Sequence, residues 1–252
     1  MTTGVRYDKI GHGYARGRHP DDRLRQNIVD ALGSSVTVVN VGAGTGNYEP
    51  VDRLTVALEP SAVMIAQRPP GTARVVCGVA EALPFADRSF DAAMAVSTVH
   101  HWSDLAVGLA EMSRGAARRV VYFSEPSLPE MYWLIDEYFP SILSMPINQA
   151  APSAERVVEL LGGECEVRVF AIPRDFAEAS AGGFWARPEA YCDPAVQGAM
   201  SMFALLDPSD GADGVARLRA DLASGAWDRR HGHLRQQDEL DLGYRIVVST
   251  AQ

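Results

Sequence analysis

Cysteine is scarce in this chain. Cys77, Cys165 and Cys192 are the only three in 252 residues, widely spaced and without a C-x-x-C pair. An odd, scattered set excludes a disulfide framework and a thiolate zinc site, and it fits a reducing compartment. Basic residues are also short, with 23 Lys and Arg against 32 Asp and Glu, a formal charge of −9 and a pI near 5.1. Binding to phosphate backbones selects for a basic surface, so nucleic acid is not an expected partner. Long apolar runs are missing: none approaches the roughly 18 residues that span a bilayer, and no charged-then-apolar leader opens the sequence. These absences lead to the expectation of a cytoplasmic protein with no membrane partner and no metal. With 47% hydrophobic residues the chain can bury a full core, as one large domain or a domain with an appendage.

The most informative stretch is VTVVNVGAGTGN, residues 36–47. Apolar and β-branched residues lead into Gly42, Gly44 and Gly46, the pattern of a buried strand breaking into a glycine turn, where backbone takes positive φ or meets a ligand. The spacing is G-x-G-x-G, not the G-x-G-x-x-G of a dinucleotide fingerprint. LTVALEP (54–60) then reads as a second strand ending in an acid, Glu59. A carboxylate at that place in nucleotide-binding α/β units accepts hydrogen bonds from ribose hydroxyls. Beyond it the elements alternate, with strands expected at 73–77, 91–96 and 118–126 and helices near 62–68 and 105–117. A first helix is expected from Asp21 and Asp22 to its stop at Gly33. Strand–helix alternation of this kind predicts a parallel, doubly wound α/β sheet.

The glycine turn, the strand-end acid and GVAEALPFADRSFD (78–91) arrive in register. Together they resemble the class I S-adenosylmethionine (SAM)-dependent methyltransferases, in particular the group that includes the ubiquinone and biotin pathway enzymes. The resemblance spans about residues 7–126. It implies a seven-stranded, mostly parallel Rossmann-like sheet with an antiparallel last strand beside the sixth, and SAM as cofactor. It places the cofactor against Gly42, Gly44, Gly46, Glu59, Pro60 and Ser97, with Val79 and Ala80 at the adenine. Tyr14 and Arg18, in YARGRHP, are similar to the family's Tyr–Arg–Pro pattern, where an Arg can pair with the methionine carboxylate. Tyr7 lies in the same segment, which folds over the cofactor in relatives, and is a candidate for substrate contact. Two features depart from the family. Val79 stands where an Asp is usual, and only 12 residues separate Gly46 from Glu59 with Pro50 among them, so the first crossover helix should be very short.

STVHHW (97–102) follows the fourth strand, at the mouth of the implied site. Unperturbed imidazole titrates near neutrality, so His100 and His101 are candidate bases, although the residue at this position also packs on the cofactor in relatives. Trp102 is a candidate substrate contact. Glu125, at the end of strand five and facing the site, is a third catalytic candidate, and as a strand-end acid it either caps a helix or binds a substrate amine. In the second half, a helix is expected at 153–163 with Ser153 as N-cap and Gly162 as stop. A sixth strand follows at 165–173 and a seventh at 242–250. The roughly 70 residues between them exceed any ordinary hairpin loop. Ligands of open α/β sheets bind outside the carboxyl ends of the parallel strands, so this insertion should hang over the site. It carries Phe184, Trp185, Tyr191 and Phe203 and a helix near 213–224, giving either its own core or a lid whose aromatics, Trp185 first, line a substrate pocket. The expected organisation is a SAM-binding core with an N-terminal cover over 1–173, a helical lid over 174–241 and the last core strand over 242–252.

The function implied is methyl transfer from SAM to oxygen or nitrogen of a small molecule, and a roomy aromatic lid points to a specialised metabolite. The alternatives are a methyltransferase-fold protein that binds SAM without transferring methyl, such as a cyclase, and an NAD-dependent oxidoreductase, which the glycine spacing counts against. The acceptor atom, the substrate and the oligomeric state are not encoded in any motif.

Overall fold

The computed structural model describes residue 8, residues 19–126 and residues 132–251. Among its interior strands is β1 (Thr37–Val41), with Val38, Val39 and Val41 all fully buried. A strand buried on both faces is what helices packed on either side of a parallel sheet require. Strands β2 (Leu54–Glu59) and β3 (Arg74–Cys77) extend the sheet to one side, and β4 (Phe90–Val96) and β5 (Ala116–Ser124) to the other. All of these pair in parallel. Near the C-terminus, β9 (Tyr244–Thr250) inserts antiparallel between β5 and β6 (Glu164–Val169). The order is β3-β2-β1-β4-β5-β9-β6, the seven-stranded sheet expected from the sequence.

Strand order reverses between β1 and β4, and a crevice opens where the connections leave to opposite faces. The two faces are read directly from alternation. Val38, Val120 and Val248 belong to one apolar cluster, and their neighbours Val39, Val121 and Val247 to the other. Helix α1 (Asp22–Leu32) covers the first face with Leu24, Ile28 and Leu32. Its N-cap Asp21 accepts from the Arg23 N–H at 2.9 Å, and Gly33 at φ +60° ends it. Helices α2 (Ala62–Ala66), α3 (Leu105–Gly115) and, later, α5 (Ala154–Leu161) start on Ser61, Asp104 and Ser153, each side chain accepting a backbone N–H of the first turn. Such caps satisfy donors that the helix itself cannot.

Three local expectations are corrected. The short helix after the glycine turn is absent: residues 42–53 run as successive turns. Three glycines at positive φ and Pro50 leave no stretch that can propagate helical hydrogen bonds. The sixth strand is split. Its ladder with β9 ends at Val169, and Ile172–Pro173 (β7) leaves the main sheet to pair with β8 (Glu239–Leu240). The helix expected near 213–224 begins earlier, at Pro208, with Asp207 capping it and proline in the first turn (α8, Pro208–Ala223).

The β7–β8 pair forms the neck of the inserted segment. Inside it lie α6 (Pro194–Gly198), α7 (Ser201–Leu205), α8 and α9 (Ala226–His231). Residues 132–150, which follow β5 and end in α4 (Pro146–Gln149), pack with the insertion and not with the sheet alone. Trp133 meets Trp227 edge to face at 5.2 Å, and its ring N–H donates to the Trp185 carbonyl at 3.0 Å. The insertion shares one continuous apolar cluster with α1 and the first sheet face. No helix among the described residues is long and apolar enough to cross a membrane.

Candidate active site

The glycine turn is shaped by backbone conformation and, at Gly42, by a contact that tolerates no side chain. Gly42, Gly44 and Gly46 sit at φ +72°, +52° and +87°, a region L-residues disfavour. A Cβ on Gly42 would stand 2.1 Å from Thr98 Oγ1, so the turn after β1 is pressed against the turn after β4. A Cβ on Gly44 would meet a single atom among the described residues, Met64 Cε at 3.4 Å. These residues leave its backbone uncovered, as expected of a glycine that admits a ligand. Gly46 is different. It lies outside this cavity's wall, and a Cβ there would crowd Glu49 and Arg68 at 3.1 and 3.2 Å. Its placement is against a buried ion pair, not against the cavity.

Glu59 ends β2 with its carboxylate buried. One oxygen accepts the Gly44 N–H at 2.8 Å and the other the Ser61 N–H at 2.9 Å. The acid thus ties the glycine turn to the start of α2, and each oxygen keeps a lone pair for a hydroxyl. Burial pushes the Glu59 carboxyl above its ordinary range, and the two N–H bonds and Arg68 only partly offset this. A raised carboxyl takes up its proton at higher pH than an exposed Glu. Cofactor affinity is therefore expected to fall on acidification, beginning above the usual Glu range, as the oxygens lose acceptor strength. Glu59→Gln should weaken SAM by about 1.5–3 kcal/mol at neutral pH and remove that acid limb. Calorimetric titration across pH checks both, and a limb that persists in the variant would assign it elsewhere.

Around these residues is a cavity of about 860 Å³, open to solvent at its mouth. Its wall includes Gly42, Gly44, Glu59, Pro60, Val79, Ala80 and Ser97, seven of the residues expected at the cofactor. Trp102 also lies in this wall and not in that of the neighbouring cavity. Its ring rests on Gly108, where a Cβ would be 2.4 Å away. A second cavity, of about 1150 Å³, adjoins the first. Tyr122 and Tyr244 stack in its wall at 5.8 Å, facing Tyr132, Ile135, Met202 and Leu205 from beyond the sheet.

Among the described residues, three line both cavities: Ser97, His101 and Glu178. Ser97 holds φ +52°, a strained value for a residue with a side chain, while its N–H donates to the Tyr122 carbonyl at 2.8 Å. His100 borders the second cavity alone, its ring 4.0 Å from that of His101. Glu125 reaches the second cavity, but its carboxylate caps α5 through the Ala154 N–H at 2.8 Å and pairs with Arg245 at 2.9 Å. Of the two roles expected of it, the structure gives it the cap. Trp185 lines neither cavity. It is fully buried in the insertion, donating to the Ile172 carbonyl at 2.9 Å, and the expectation of substrate contact is corrected accordingly. Tyr7, Tyr14 and Arg18 lie outside the described residues, although Asp8 beside Tyr7 accepts from Ser61 Oγ at 2.7 Å.

Sequence reading missed Asn40, Tyr48 and Glu178, all in the wall of the first cavity. Asn40 carried a signal, an amide inside an otherwise apolar strand. Glu178 carried none, since only the path of the insertion brings it to the site.

The geometry suits SAM: a glycine face without side chains, a buried acid with spare lone pairs, and the small Ala80 farther along the wall. Comparison with known proteins agrees. A methyltransferase domain model matches residues 39–119. A solved structure from Anabaena variabilis, assigned as a methyltransferase of an antibiotic biosynthesis pathway, is 30% identical and superposes with a TM-score of 0.86 over 93% of this chain and 99% of that one. Demethylmenaquinone methyltransferase of Renibacterium salmoninarum is 31% identical over 150 residues, which span 55% of this chain and 63% of that relative. Haemonchus contortus phosphoethanolamine N-methyltransferase 2, solved with SAM, shares the fold at 15% identity and a TM-score of 0.54, over 91% of this chain and 53% of its own. The chain belongs to the class I SAM-dependent methyltransferases, and SAM is its cofactor.

Proposed function

We propose that this protein transfers the methyl group of SAM to an oxygen or nitrogen of a small, largely apolar, ring-bearing acceptor. The observation that carries the reading is the second cavity, which meets the cofactor cavity at Ser97, His101 and Glu178. Tyr122, Tyr132, Ile135, Ile142, Leu205 and Tyr244 form an aromatic and aliphatic part of its wall that suits a flat apolar body, and Met145 and Met202 can adapt to its outline. The polar remainder, with His100 and Asn148, suits an acceptor that carries a polar group. SAM supplies a methyl group on a positively charged sulfur. The chain's own part is to hold donor and acceptor in line and to exclude water.

In this reading Gly42 and Gly44 give backbone access, Glu59 holds the ribose hydroxyls, and Val79 and Ala80 face the adenine. Residues 174–241, together with 132–150, act as the cover that closes the acceptor side. His101 borders both cavities; with an amine acceptor it serves by packing at their junction, the proton passing to solvent after transfer, and with a hydroxyl acceptor its imidazole takes the proton that the attacking oxygen gives up. The test is incubation with methyl-deuterated SAM and a panel of apolar phenols, alcohols and ring amines, followed by mass spectrometry. Label is expected on a phenolic, alcoholic or amine acceptor. Label found only on polar or charged acceptors of the panel, or on none while SAM binds, would overturn the reading.

A further inference from the structure

Strand β6 is an edge of the seven-stranded sheet: among the described residues, β9 is the one strand that pairs with it. A long edge is a template for another chain, and folded proteins blunt such edges with short strands, charges or prolines. The opposite edge, β3, follows that rule with four residues. β6 has six and no proline, and both its valines are exposed, Val167 at 45% and Val169 at 58%. Helix α5 packs against α3, β9 and β6 and covers neither valine.

The ladder with β9 fixes which groups face outward. The Phe170 N–H donates to the Tyr244 carbonyl at 3.0 Å, in step with the pairs Arg168–Ile246 and Glu166–Val248. Hydrogen-bonded and non-hydrogen-bonded pairs alternate along an antiparallel ladder. Glu164, Glu166 and Arg168 therefore turn their backbone groups to β9, whereas Cys165, Val167 and Val169 turn theirs to the outer side. Side chains alternate too. Glu166 and Arg168 stand beside Val248 and Ile246 on the first sheet face, and Val167 stands beside Val247 on the second, where α5 packs.

Glu166 and Arg168 form an ion pair at 2.7 Å, with side chains 59% and 31% exposed. Their order makes the strand complementary to itself. If a second β6 runs antiparallel with Val167 opposite Val167, the outward N–H and C=O groups of the two copies meet. Glu166 of each chain then faces Arg168 of the other, in the kind of pair that brings side chains closest. A slip of one residue breaks the backbone bonds. A slip of two sets Glu166 against Glu166 or Arg168 against Arg168, which disfavours either register.

We infer that β6 is a self-association edge, and that two copies of this chain join there about a two-fold axis with Val167 opposite Val167, continuing the sheet from one chain into the other. Such an interface is isologous: the same patch serves both copies, as its charge order requires.

The experiment is sedimentation equilibrium of the full chain, with circular dichroism to follow folding. Wild type is expected at about twice the chain mass of 27.2 kDa. Val167→Pro removes an outward N–H and leaves the ladder with β9 intact, since edge strands admit proline on their open side. It should fold and sediment as a monomer. Glu166→Arg and Arg168→Glu each set like charges against each other, and each should raise the dissociation constant about tenfold or more. An equimolar mixture of those two variants should associate as tightly as wild type, because every Arg then meets a Glu. If Val167→Pro does not fold, the charge variants, which change exposed side chains, decide. A wild-type chain that stays monomeric up to about 100 µM would overturn the inference. So would a dimer left intact by Val167→Pro or by both charge variants, or a mixture that fails to associate.

Discussion

Gly44→Val is expected to abolish SAM binding while leaving a folded protein. The residue sits at φ +52° with its N–H held by Glu59 at 2.8 Å, and among the described residues Met64 Cε at 3.4 Å is the one atom near a built Cβ. Added methyl groups would therefore occupy the cavity, not the core. The predicted loss is roughly hundredfold or greater in affinity, about 2.7 kcal/mol or more. Left-handed backbone costs a residue with a Cβ about 1–2 kcal/mol, so a fall in melting temperature of a few degrees should accompany it. Gly71→Ala separates the two effects. Gly71 has φ +88° and nothing within 4 Å of a built Cβ, outside both cavities. It should show the strain in thermal melting and none of the loss in calorimetric titration. Undiminished SAM binding by Gly44→Val would sink the assignment of the glycine turn.

The sheet was legible because its signals are local and periodic. Buried strands such as VTVVNV and RRVVYFS announce themselves by run length and branching, and a glycine turn followed by a strand-end acid fixes where the crevice opens. The wall of the first cavity was legible for the same reason: Gly42, Gly44, Glu59, Pro60, Val79, Ala80 and Ser97 all lie at or just after strand ends. The second cavity was not. Tyr132, Met202 and Tyr244 come from three separate stretches, and nothing in their own neighbourhoods says that they converge. Trp185 misled because a large aromatic in an insertion has two uses, and here packing won: its indole N–H needed a carbonyl and found Ile172 inside the insertion. Glu125 misled in part, since a strand-end acid beside a helix start finds orphan N–H groups before it finds a ligand. The missing crossover helix was half legible. Pro50 and the short spacing argued against a long helix, but they gave no sign of what would hold residues 42–53 in its place.

That task falls to Arg68 and Glu49, and breaking the pair should be among the most damaging changes to the fold near the site. The guanidinium Nη2 meets the Glu49 carboxylate at 2.6 and 2.7 Å, with both side chains almost fully buried at 5% and 6% exposure. Nη1 donates to the Gly44 carbonyl at 3.1 Å, and Glu49 in turn accepts the Ala73 N–H at 3.0 Å. One ion pair thus joins the glycine turn, the end of α2 and the approach to β3, the contacts that a crossover helix would otherwise supply. Arg68→Ala strands a buried carboxylate, a change that costs about 3–5 kcal/mol. In a chain of this length the melting temperature should drop on the order of 10 °C. SAM affinity should fall with it, because the Gly44 carbonyl loses its donor and the turn loses its anchor. The double variant Glu49→Leu with Arg68→Met leaves no lone charge, so most of the stability should return. Affinity should not return with it, since neither new side chain can bind that carbonyl. Thermal melting and calorimetric titration of the two variants measure these effects separately. An Arg68→Ala protein within about 1 kcal/mol of wild type, or a double variant that regains full SAM affinity, would show that the turn holds its shape without the pair.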